Sequence, residues 1–141
     1  NADVAEYIEV LGKVEVGDVL RLDPENMGKY SKTLKPYSEL VAGVVSGKPG
    51  VVLGSENKSS NDKTNQKRKE SELVKLALVG RVPVKVTNEN GSIEPGDLLT
   101  TSSVPGYAMK CSDHNNCVGS VFAKALEYFN KERGIVKALL M

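Results

Sequence analysis

Two stretches, Val14-Glu15-Val16-Gly17-Asp18-Val19-Leu20 and Ile93-Glu94-Pro95-Gly96-Asp97-Leu98-Leu99, spell nearly the same phrase. Each places an aliphatic residue and a glutamate ahead of Gly-Asp, and two aliphatic residues behind it. The physics of the phrase is local. Glycine accepts a positive φ at a tight turn, an aspartate carboxylate caps backbone N–H groups there, and the aliphatic pair opens a strand. Asp18 and Asp97 are therefore turn formers before they are anything else. Three further echoes keep the same order. Gly28-Lys29-Tyr30-Ser31-Lys32 matches Gly106-Tyr107-Ala108-Met109-Lys110, Val41-Ala42-Gly43-Val44-Val45 matches Cys117-Val118-Gly119-Ser120-Val121, and Gly50-Val51-Val52-Leu53 matches Gly134-Ile135-Val136-Lys137. Four matches in order point to duplication. They predict an all-β fold: one compact, barrel-like domain over 1–141, with repeat halves at about 7–54 and 74–141 related by a pseudo-twofold axis.

Between the halves, residues 55–72, "SENKSSNDKTNQKRKESE", carry no apolar side chain. Such a segment buries too little surface to offset its ordering entropy, so it reads as a mobile polar loop. The strongest periodicity follows it, in "VKLALVGRVPVKV" at 74–86. Val74, Leu76, Leu78, Val82, Val84 and Val86 share one parity, while Lys75, Arg81 and Lys85 share the other. That is the mark of a half-buried strand. Gly80 predicts a bulge or bend in it, and Pro83 predicts a side without a ladder partner. "NENG" at 88–91 predicts a hairpin turn on Asn90-Gly91. In "VGSVFAKALEYFNKER", at 118–133, helical spacing is poor, and one short helical turn near Leu126 is the most it supports.

Composition narrows function. The 141 residues are 40% hydrophobic, with 19 basic and 18 acidic side chains for a net charge of +1. That balance creates no overall field for nucleic acid or an anionic membrane. No apolar run is long enough to span a bilayer, and no signal-peptide pattern is present. The start at Asn1, with no methionine ahead of it, is what natural cleavage or a trimmed tag would leave. Cys111 and Cys117 flank a polar loop holding the sole histidine, His114. Structural zinc wants four ligands at tighter spacing, so two buried thiols or one hairpin disulfide are the readings, with no metal and no cofactor expected. There is no phosphate-binding Gly-Lys-Ser/Thr loop. "TTSSVPG" at 100–106 holds hydroxyls without a G-x-S-x-G elbow and reads as a turn.

Taken together, "ADVAEY", "GDVLRLDP", "KPYSELVAGVVSGKPGVVLG", "GRVPVKVTNENGSIEPGDLLTTSSVPGYAMK" and "VGSVFAKALE" resemble the C-terminal module of phage tail-fibre and appendage-like proteins and of related bacterial surface proteins. The chain is also similar to the autoproteolytic C-terminal domain of phage pre-neck appendage proteins. That resemblance implies a module that follows a stalk in the same chain, brings three chains into register and then cuts itself free. It implies catalytic roles for Asp3 and Glu6, cleavage near Asn1, a homotrimer, and a place on a virion or cell surface. The family usually starts with serine where this chain has Asn1. Chemically, two carboxylates cleave an amide when close approach drives one to stay protonated and the other ionised. On a strand, residues three apart face opposite ways, so Asp3 and Glu6 need a turn, a bulge or a neighbouring chain to meet. The alternatives are an exposed acidic edge strand that discourages aggregation, and, for the whole chain, a non-catalytic cap or glycan-binding module.

Overall fold

The computed structural model describes residues 4–47, 52–53 and 70–141. Among these residues ten strands follow in order: β1 (Val4–Leu11), β2 (Val19–Leu22), β3 (Tyr30–Lys32), β4 (Val41–Gly47), β5 (Val52–Leu53), β6 (Ser71–Thr87), β7 (Leu98–Thr101), β8 (Ala108–Lys110), β9 (Ala123–Ala125) and β10 (Arg133–Leu140). Among the described residues the helical content is a 3-10 turn, His114–Asn116. The all-β, duplicated fold expected from the repeat is what the chain adopts.

Strand pairing traces two closed circuits of five strands. β1 pairs with β3, β3 with β2, β2 with β4, β4 with the first half of β6, and that half of β6 returns to β1. In the second circuit the last half of β6 pairs with β8, β8 with β7, β7 with β9, β9 with β10, and β10 returns to β6. The registers correspond. Leu20 faces Lys32 as Leu99 faces Lys110, and a single parallel bridge, Val10 to Tyr30, matches Val86 to Ala108. Both barrels share the 17-residue β6. It changes partners at Gly80, where φ is 109° and the strand leaves β1 for β10.

This arrangement corrects part of the repeat as read from sequence. Val45 N–H donates to Asp18 C=O at 2.9 Å, and Ala125 N–H donates to Asp97 C=O at 2.8 Å. Val45 therefore corresponds to Ala125, not Val121. The two small-residue clusters resemble each other in composition, but strand pairing aligns the repeat four residues further on. Likewise β10 corresponds to the first half of β6, so Gly134-Ile135-Val136-Lys137 is not the counterpart of the stretch ending at Val52-Leu53. That short strand instead adds to β6 opposite Glu72 and Ser71. The polar loop expected over 55–72 falls mostly outside the described residues. Its last two positions belong to β6, because the Ser71 hydroxyl is buried and donates to Glu9 Oε2 at 2.7 Å.

Each barrel has its own apolar interior. Ile8, Val10, Val14, Leu20, Val45, Val74 and Leu76 fill the first. Val82, Val84, Val86, Leu99, Phe122 and Leu140 belong to the second cluster, which Val19, Val44 and Ala77 extend across the junction. The parity of β6 consequently slips at the crossover: Ala77 is buried and Leu78 is exposed, contrary to the simple alternation. Pro83 behaves as expected. Lys85, of the same parity, sends its N–H away from β10 to Gly17 C=O, and among the described residues no ladder runs along β6 on that side at Pro83. The Asn88–Gly91 turn forms, closed by Gly91 N–H to Asn88 C=O at 2.8 Å, but it does not make a hairpin. The chain leaves it for an isolated bridge, Ile93 to Phe129, rather than returning along β6. Leu126 lies just beyond β9 and is not helical, since its N–H pairs with Lys137 C=O across the sheet.

Gly43, on β4 opposite Leu20 of β2, lies tightly against β6. A Cβ there would lie 2.6 Å from Ala77 C=O and 3.0 Å from Leu76 Cδ1. Gly43→Ala is expected to destabilise the chain by about 1–3 kcal/mol through overpacking, measured as a lowered midpoint in chemical denaturation.

Candidate functional site: a buried charge cluster between the barrels

The two Gly-Asp turns are built alike. Asp18 Oδ2 accepts Glu15 N–H at 2.7 Å and Asp97 Oδ2 accepts Glu94 N–H at 2.8 Å. Gly17 and Gly96 hold φ near 96° and 94°. Gly17 N–H reaches Val45 C=O and Gly96 N–H reaches Ala125 C=O, both at 2.8 Å. Beyond the turn the copies diverge. Asp97 stays half-buried, whereas Asp18 is fully buried. What covers Asp18 comes from the other half of the chain. Lys85 N–H donates to Gly17 C=O at 3.0 Å, Val19 N–H donates to Gly106 C=O at 2.8 Å, and Gly106 N–H donates to Thr33 C=O at 2.9 Å. Gly106 has a positive φ of 77°, and a Cβ on it would sit 2.7 Å from Asp18 Oδ1. Only glycine suits this position on both counts.

Into this seam β6 sends Lys85, which is 7% exposed. Its Nζ lies 2.6 Å from Glu15 Oε1 and 2.9 Å from Asp18 Oδ1. Lys32 Nζ stands 3.7 Å from Asp18 Oδ2. The Tyr107 ring lies under two cations, Lys85 and Arg133, with centroid distances of 5.5 and 5.6 Å. Burial alone would depress the Lys85 ammonium. The hydrogen bond to Glu15 and the negative charges of Asp18 and Glu15 overcome that penalty and hold it above the ordinary lysine value. Asp18 Oδ1 has no hydrogen bond of acceptable geometry although Lys85 Nζ is close. The pair is thus compensated by charge, off the hydrogen-bonding direction. Sequence reasoning had placed Lys85 on the solvent face of its strand. The parity was right, but the outer face at this point is covered by the first barrel's turn. No spacing connects residues 18 and 85.

The acids singled out from sequence lie elsewhere. Asp3 and Asn1 fall outside the described residues. Glu6 is exposed on β1, opposite Leu76 of β6. Among the described residues β1 pairs with β6 along its length and meets β3 at Val10 alone, so Glu6 has a strand on one side. Cys111 and Cys117 form a disulfide, with Cα atoms 6.2 Å apart. His114 is exposed in the loop it closes, and among the described residues no group of three or more His, Cys, Asp or Glu is placed to hold a metal. The Ser102 hydroxyl donates to Tyr107 C=O at 2.7 Å within its turn. A groove of about 550 Å³ opens beside β1, β2 and β3, lined by Lys13, Arg21, Asp23, Ser31 and Lys32 among others. In it, Asp23 Oδ1 accepts from Glu25 N–H and Asn26 Nδ2 at 2.9 and 3.0 Å. Burial opposes ionisation there, but hydrogen bonds from Asn26, Ser31 and the backbone of Glu25 and Asn26 prevail. They lower its pKa to about 2.

No protein-family model matches the chain, and no curated protein matches it. Among solved structures, it is similar to the head fibre gp8.5 N base of bacteriophage phi29. The two share 15% identity with a TM-score of 0.53, over 98% of this chain and 93% of that one. At this identity the likeness establishes the fold. This chain has the fold of a phage head-fibre base.

The divergence of the two turns makes them a matched experiment. Asp97→Ala removes one cap and is expected to cost about 1 kcal/mol. Asp18→Ala removes a cap and also the buried carboxylate paired with Lys85, leaving only the exposed Glu15 to compensate it, and is expected to cost more, about 3 kcal/mol. Equal losses in denaturant titrations of the two variants would remove the distinction. Asp23 gives a pH signature. Its folded pKa is depressed, so its contribution is present above the ordinary value of 3.8 and fades as pH falls through about 2. Stability is expected to drop over that window, and to drop less steeply in Asp23→Asn.

Proposed function

We propose that this chain is a structural module of a fibre-like virion protein, acting as a folding and trimerisation unit beside a stalk in the same polypeptide. The single observation that carries this reading is the shared fold with a phage head-fibre base across nearly the whole of both chains. Two features fit it. The buried ionic contacts tie the barrels to each other, which suits a module that bears load. In addition, Ile135, Leu139 and Met141 project outward, 57%, 40% and 65% exposed, along β10 and just past its end, offering apolar contacts to neighbouring copies.

Self-cleavage just upstream of Asp3, with Asp3 and Glu6 as the acting carboxylates, is the finer form of this proposal and draws on the sequence resemblance. A second reading, glycan binding on a non-catalytic cap, is favoured by the groove into which Arg21, Asp23 and Ser31 place polar groups.

Light scattering of the purified chain is expected to give the mass of a trimer, and a monomer at high concentration would overturn the assembly role. Expressed behind its native upstream segment, the chain is expected to split on a denaturing gel, and to stay whole as Asp3→Asn or Glu6→Gln. A wild-type band that stays intact discards cleavage and leaves the assembly role standing. A glycan array, with Arg21→Ala as control, separates the binding reading.

A further inference from the structure

We propose that Lys85 and Asp18 become joined by an amide, an isopeptide cross-link between the two barrels, with Glu15 moving the protons. The proposal rests on the geometry of the seam and is independent of the fibre reading.

Four observations support it. Lys85 Nζ lies 2.9 Å from Asp18 Oδ1, yet that oxygen has no hydrogen-bond partner. The ammonium therefore touches the carboxyl group without a well-directed hydrogen bond to that oxygen. Asp18 is fully buried and Lys85 nearly so, and Gly106 and the Tyr107 ring close the site. Bulk water, which would favour the separated ions, is kept from Asp18 and the Lys85 ammonium and reaches Glu15, whose side chain is 76% exposed. The other carboxyl oxygen, Oδ2, is polarised by Glu15 N–H at 2.7 Å and by Lys32 Nζ at 3.7 Å, as donors polarise an oxygen on which charge develops. Finally, Glu15 Oε1 stands 2.6 Å from Nζ, placed to take a proton from it.

The step balances with these groups alone. An Nζ–Cγ bond forms and the Cγ–Oδ1 bond breaks. Oδ2 remains as the amide oxygen. Of the three ammonium protons, two pass through Glu15 to Oδ1, which leaves as water. Nothing is oxidised or reduced, and the positive and negative charges cancel. Two factors drive the reaction. Fixing the reacting groups in contact replaces a bimolecular encounter. Converting the ions to a neutral amide also relieves the cost of keeping a charge pair out of water.

The test is the intact mass of the wild-type chain, denatured and with its disulfide reduced. The expected mass is one water below that of the sequence, with fragmentation yielding a branched peptide that carries Asp18 and Lys85. Lys85→Arg keeps the charge, lacks the primary amine and is expected to show the full sequence mass. In a time course after refolding, Glu15→Gln is expected to lose water more slowly than wild type. A wild-type chain of full sequence mass after prolonged incubation overturns the proposal, as does a water loss mapped to other residues. Loss at the wild-type rate in Glu15→Gln removes Glu15 from the proton path. The wild-type measurement decides even if Lys85→Arg fails to fold.

Discussion

The structure depends on how one turn of the first barrel is held against a strand that belongs to both. Gly17 sits between β4 and β6: its N–H goes to Val45 C=O and its C=O accepts from Lys85 N–H. A side chain at Gly17 would press on Lys85 Cγ at 3.3 Å and would need a φ of +96°. Glycine is therefore required twice, for conformation and for approach. The next residue, Asp18, carries its charge into the space so closed, where Lys85 and Lys32 compensate it. A buried carboxylate without such partners would be very costly. The seam thus specifies one relative placement of the barrels: sliding β6 by a residue would move Lys85 to the other face.

The shared strand explains why the duplicate is not fully symmetric. β6 serves the second barrel as β1 serves the first, and serves the first as β10 serves the second. One segment fills two roles, so the chain needs no separate opening strand for its second half. The cost is a crossover at Gly80, where the inward parity of the strand is lost and Leu78 and Val79 face solvent. The symmetry is broken again at the turns. Asp18 lies against the other barrel while Asp97 lies at the molecule's surface, although both cap their own turn with the same hydrogen bond.

The interior of each barrel is filled by aliphatic and aromatic side chains, and the most unusual chemistry is buried at the junction. This ionic junction ties together the two barrels of a fold shared with a phage head-fibre base.

Much of the fold was legible in the residues. Gly-Asp followed by two aliphatics fixes its own turn, because glycine conformation and aspartate capping are local, and the valines of 82–86 mark a strand by period alone. Those rules act over a few residues. The alignment of the later echoes was misread, because clusters of small residues look alike until hydrogen bonds choose a register. The disulfide was left open beside free thiols, because six residues of separation permit either and only the folded loop brings Cys111 to Cys117. Lys85 could not be read as a buried group at all. A lysine on the outward parity of a strand is solvated unless another part of the chain arrives to cover it, and only the packing of the first barrel's turn against β6 brings Asp18 within 2.9 Å of it.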